Sequence, residues 1–123
     1  MTPTDHFAAV FAQLKSMLQH WEAQLIVQVN EPDQYSVAVG NAEQPHKGEL
    51  FAMVQIRKNY VSYHLLPVYS FPTLLDEVSP ALKKRMQGKS CFNFTALDAA
   101  TLNELTSLTE RGFKRFIHST ALQ

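Results

Sequence analysis

Apolar residues recur at helical spacing near the start of the chain: Phe7, Val10, Phe11, Leu14, Met17, Leu18 and Trp21. Steps of three and four put them on one stripe, which predicts an amphipathic helix over residues 5–22. Lys15, Gln19 and Glu22 fall off the stripe. Thr4 stands where an N-cap would, and Asp5 places negative charge in the first turn. The period then shortens to two. "QLIVQV" is β-rich and ends at the turn cluster Asn30, Glu31, Pro32 and Asp33. Tyr35, Val37 and Val39 alternate after it, so the two runs read as an antiparallel hairpin. The stretch "GNAEQPHKGE" that follows reads as a loop.

The segment "LFAMVQIRKNYVSYHLLP" carries the most information. Two β-rich runs flank Lys58 and Asn59, and asparagine tolerates the backbone of a tight turn. A two-residue loop pairs Arg57 with Tyr60, Gln55 with Ser62 and Met53 with His64. It also pairs Ile56 with Val61, Val54 with Tyr63 and Ala52 with Leu65. Side chains alternate across a strand, so one face is apolar and the other carries Gln55, Arg57, Tyr60, Ser62 and His64. A slip of one residue would bury the polar set, which fixes the register. Phe51, Met53 and Leu66 are expected to extend the polar face as an apolar patch.

Beyond Pro67, a turn or short helix is predicted near Pro72. Ser79 as a cap, Pro80 in the first turn and Gly88 past the end predict a helix between them, with Lys83, Lys84 and Arg85 at its cation-favouring end. "SCFNFT" is then a strand, with Phe92 and Phe94 directed inward and Cys91 and Asn93 outward. Thr101 and Glu104 have capping-box spacing. Leu102, Leu105, Leu108, Phe113, Phe116 and Ile117 give a closing helix to about residue 118. Gly112 inside it costs about 1 kcal/mol relative to alanine, which close helix–sheet packing would explain. The order α-β-β-β-β-α-β-α predicts an α+β fold of two layers. A mostly antiparallel sheet of about five strands carries helices on one face.

"RKNYVSYHLLP", "LKKRMQGKSCFNF" and the spaced leucines of "LNELTSLTERGFKRF" together resemble the YdhG-like bacterial domain of unknown function. The resemblance covers residues 50–117; the first half does not look like the usual N-terminus of that family. It implies a compact two-layer fold in a bacterial protein. It brings no catalytic residues to carry over.

At 123 residues with 46% hydrophobic and 18% charged residues, the chain has the composition of one globular domain. Eleven basic and eleven acidic residues cancel, so no net field draws it to nucleic acid or anionic lipid, and little repulsion opposes self-association. A homodimer is therefore among the expected states. No signal peptide is read at the N-terminus, and no apolar run reaches the ~18 residues that span a bilayer. The expected address is the cytoplasm. One cysteine excludes an internal disulfide and a multi-cysteine metal site.

The motifs have modest content. Gly88-Lys89-Ser90 lacks the glycine five residues earlier that a phosphate-binding loop needs, and it leads from helix to strand rather than the reverse. His6, His20, His46, His64 and His118 show no metal-ligand spacing, so no metal and no cofactor is expected. Asp76 and Glu77 read as solvated surface. The basic groups Lys83, Lys84, Arg85 and Lys89, and Arg111, Lys114 and Arg115, would favour phosphate only as local patches, so nucleic acid is an unfavoured partner. A sheet face of Gln55, Arg57, Tyr60, Ser62, His64, Cys91 and Asn93 is the candidate site. The expected function is a non-catalytic binding or interaction module using that face. The rival is a thiol-dependent enzyme built on Cys91 and His64, which requires a thiol pKa well below the ~8.5 of free cysteine. Nothing in the sequence names a ligand or partner.

Overall fold

The structure, a computed structural model, describes residues 3–41 and 44–121, with side-chain environments for 6–39 and 49–116. It has the expected α+β class. Helix α1 (Pro3–Gln19) leads through a short 3-10 turn (Glu22–Gln24) to strands β1 (Ile26–Glu31), β2 (Gln34–Asn41), β3 (Gln44–Ile56) and β4 (Val61–Leu65). Helix α2 (Leu66–Ser70), a 3-10 helix (Pro72–Glu77) and helix α3 (Pro80–Lys83) follow. Strands β5 (Met86–Gln87) and β6 (Cys91–Phe94) and the long helix α4 (Ala99–Ala121) close the chain. The six strands form one antiparallel sheet in the order β1-β2-β3-β4-β6-β5.

The β3–β4 register is the expected one: Ile56 opposite Val61, Val54 opposite Tyr63 and Ala52 opposite Leu65. Arg57 N–H donates to Tyr60 O at 2.7 Å and closes the turn. Tyr35, Val54, Tyr63 and Phe92 line up across four strands, and none has any exposure. Full burial of such side chains stabilises by about 1.5–3 kcal/mol each. The stripe of α1 packs onto them, with Val10, Phe11, Leu14, Met17, Leu18 and Trp21 all buried and Phe7 at the margin. Leu105, Leu108 and Phe116 of α4 complete the layer. The polar atoms of this core are matched. The Tyr63 hydroxyl and Thr109 Oγ1 share a hydrogen bond of 2.6 Å between two fully buried residues.

Several local expectations need correction. Phe51 does not extend the outer face. Val37 lies opposite Ala52 and Ala38 opposite Leu50, so Phe51 is an extra residue, a bulge that turns its ring inward. It is fully buried against Phe113 and Phe116, at 5.6 and 5.9 Å between ring centroids. The stretch 40–49 is mostly strand: β2 runs to Asn41 and β3 starts at Gln44, while Ala42 and Glu43 lie outside the described residues. The first helix begins at Pro3, which puts Thr4 inside the first turn rather than at the cap, and it ends at Gln19.

The helix from Ser79 stops at Lys83 instead of running to Gly88. Arg85 O accepts from Asn93 N–H at 2.8 Å, so pairing with β6 takes the backbone that a longer helix would need. This makes β5 and raises the strand count from about five to six. Gly88, at φ +80°, opens the turn between the two strands. The start of α4 is capped by Asp98, whose carboxylate accepts from Thr101 N–H at 2.7 Å. Glu104 is thus released from the expected capping box. It accepts from Ser79 N–H at 2.6 Å and from Ser79 Oγ at 2.7 Å, and so ties α4 to the start of α3. Ile117 lies outside the described side chains.

Gly112 marks a close helix–helix contact rather than a helix–sheet one. A Cβ there would stand 3.1 Å from Pro67 Cβ and 3.4 Å from Pro67 Cγ. Gly112→Leu should therefore destabilise the protein by about 2 kcal/mol in urea unfolding, since the extra volume has no room. Ser107→Leu, on the exposed side of the same helix, should stay within about 0.5 kcal/mol of wild type.

Candidate functional site

The face of the sheet opposite α1 and α4 carries all seven expected residues. Strand pairing sorts them into rows. One row crosses the sheet as Gln34, Gln55, Ser62 and Asn93. The next runs Ser36, Met53, His64, Cys91 and Gln87. Arg57 and Tyr60 stand beyond the first row, at the hairpin end. On the other side, Ala38 lies between Ile26 and Leu50, and Val29 lies opposite Ser36. The face therefore grades from a polar end, with Arg57, Gln55 and Asn93, to an apolar end, with Met53, Leu50, Val29 and Ile26.

Gln34, Ser36, Ala38, Leu50, Ile26, Val29 and Gln87 also belong to this surface and were not among the expected site residues. The signal was present in β2. Tyr35, Val37 and Val39 face the core, so Gln34, Ser36 and Ala38 must face away from it. Ser36 and Ser62 are only 4% exposed although no helix covers them. Their short side chains sit between longer ones, and Gln34 Nε2 closes over the row by donating to Met53 Sδ at 3.4 Å.

His64 and Cys91 are direct cross-strand neighbours. Such pairs have Cβ atoms about 5 Å apart, so the two residues of the thiol reading do meet. Their electrostatics oppose that chemistry. Partial burial pushes the Cys91 thiol up, and this outweighs the opposing pull of the Arg57 charge. Partial burial also pushes His64 down, and Arg57 pushes it further the same way. The thiol hydrogen goes to Asn93 Oδ1 at 3.3 Å. A neutral thiol beside a neutral imidazole is the reverse of the thiolate–imidazolium pair that cysteine catalysis uses.

Other candidates fall to their surroundings. Gly88-Lys89-Ser90 joins two strands and so offers no helix N-terminus to a phosphate. Arg111 pairs with Glu77 at 3.6 Å, Lys114 with Glu110 at 3.5 Å, and Arg115 lies over the Phe71 ring at 4.5 Å. That basic group is largely engaged. Among the described residues, no three His, Cys, Asp or Glu side chains are placed to hold a metal ion, and no helix is long and apolar enough to cross a membrane.

No protein-family model matches the chain, and neither the curated proteins nor the solved structures contain a significant match. The resemblance to the YdhG-like domain thus gains no support from them and stays an expectation.

The lowered His64 pKa carries a stability consequence. The unfolded chain binds that proton more tightly, so stability rises with pH between the folded value and the ordinary value of about 6.5. This contribution is complete above that range and is lost as pH falls through it. His64→Gln should flatten the acid side of a stability profile taken by urea unfolding from about pH 5 to about pH 7. Arg57→Gln should raise both the His64 and the Cys91 titrations, read by NMR and by thiol alkylation rate.

Proposed function

We propose that this protein is a non-catalytic binding module whose working surface is the open face of the sheet, with a second copy of the chain as its occupant. One observation carries this reading. Ile26, Val29, Leu50 and Met53, each half-buried, form an apolar end on the face that points away from the core. Sheets are commonly solvated on one side, but solvated faces alternate to polar residues along their whole length. This one does so along β4, with Ser62 and His64 outward, but not along β1 and β3, where Ile26, Val29, Leu50 and Met53 stand outward.

A second copy suits the surface because the chain carries no net charge. Among the described side chains, the face holds one acid and one cation, Glu31 and Arg57. Nothing electrostatic opposes pairing of two such faces. The thiol-enzyme reading is disfavoured by the protonated Cys91, and nucleic-acid binding by the zero net charge and, in one of the two basic groups, by the Arg111–Glu77 and Lys114–Glu110 pairs. A cytoplasmic setting and a YdhG-like bacterial origin belong to the same proposal.

Light scattering tests it. Wild type should show a mass about twice the 13.9 kDa of the chain, and Met53→Glu should be a folded monomer by circular dichroism. A monomeric wild type at concentrations of about 100 μM would reject the second copy as occupant.

A further inference from the structure

We infer that the groove between α2, the 3-10 helix Pro72–Glu77 and the β5–β6 turn binds a small monocarboxylate with an apolar, preferably aromatic, body. The groove has a volume of about 580 Å³, within the range of small-ligand sites. It exceeds the cleft between α1 and α4, at about 350 Å³, and the one around Arg111, at about 400 Å³. It lies on the helix side of the sheet, since Met86 is opposite Phe92.

Its walls are Val68, Leu75 and Met86, all apolar. Tyr69 adds an aromatic surface that is 59% exposed, in contrast to the buried Tyr35 and Tyr63. Gly88 leaves open space where a Cβ would stand, so the backbone of the turn can be approached closely. Lys89 supplies the one charge. Its Nζ stands 6.0 Å from the Tyr69 ring centroid, at the outer limit of cation–π attraction. It makes no ion pair among the described residues.

Charge complementarity sets the ligand class. The lining contributes one cation and no carboxylate, because Asp76 and Glu77 line the neighbouring cleft with Arg111. A single lysine suits a monoanion. A phosphate dianion is ordinarily met by several donors or an arginine fork, and neither is present here. The apolar walls and the exposed ring take the body of the ligand, and Lys89 at the rim takes the carboxylate.

Titration of the ¹⁵N-labelled protein with 2-naphthylacetate tests this, with 2-(2-naphthyl)ethylamine and 2-(2-naphthyl)ethanol as cationic and neutral analogues. Shifts should centre on Tyr69, Leu75, Met86 and Gly88, with dissociation constants in the millimolar range or tighter and the acid favoured over the amine about tenfold. Lys89→Glu should reverse that preference. Tyr69→Ala should weaken all three, and Lys84→Glu, outside the groove, should change nothing. The amide spectrum shows directly whether each variant is folded. Met53→Glu should bind the acid as wild type does, which separates this site from the sheet face. Absence of shifts, equal binding of the three compounds, shifts at a different cleft, or an unchanged preference in Lys89→Glu would each overturn the assignment.

Discussion

Val54 lies opposite Tyr63 in the middle of the sheet, and the side-chain period of two carries that pairing outward in every direction. Along the strands it sends Ala52, Ile56, Val61 and Leu65 towards the helices and Met53, Gln55, Ser62 and His64 away from them. Across the strands it extends to Tyr35 on one side and Phe92 on the other. A shift of one residue would turn Tyr63 outward and separate its hydroxyl from Thr109. The cost would include an unpaired buried hydroxyl as well as the lost apolar burial. The tight turn at Lys58 and Asn59 holds the register at the one place where the chain reverses within it.

The Phe51 bulge is the second constraint, and it acts on the same strand. Without it, strict alternation from Val54 would place Phe51 beside Met53 on the outer face. The extra residue lets Phe51 enter the core against Phe113 and Phe116 while Leu50 takes the outer position opposite Ala38. The core gains a large aromatic, and the outer face keeps a smaller residue at that point. The apolar end is therefore shallower than alternation alone would make it, with Ala38 and Ser36 flanked by Ile26, Leu50 and Met53.

Much of this was legible because the informative segments are local. The β3–β4 hairpin, the stripe of α1 and the inward Phe92 and Phe94 follow from periodicity over a few residues. The cap at Ser79 does too. What escaped the sequence depends on contacts far along the chain. The helix after Ser79 ends early because Arg85 O is taken by Asn93 N–H. Glu104 leaves its local capping role because Ser79 offers two donors. Bulges at Phe51 and beside Gln28 have no local signature, since each is a choice between neighbouring strands. The candidate face was half visible for the same reason: its members on β3, β4 and β6 came from strong alternation, whereas the identity of the neighbouring strand depended on sheet order.

The apolar end of the open face is the proposed meeting surface for a second copy of the chain. The most direct check is NMR of selectively labelled methionine methyls with a soluble paramagnetic chelate, read as the protein is concentrated. The Met53 methyl should be broadened strongly in dilute solution and progressively shielded as copies meet. The amide of exposed Ser107 on α4 should remain equally accessible throughout. A Met53 methyl that stays equally accessible at every concentration would contradict the account.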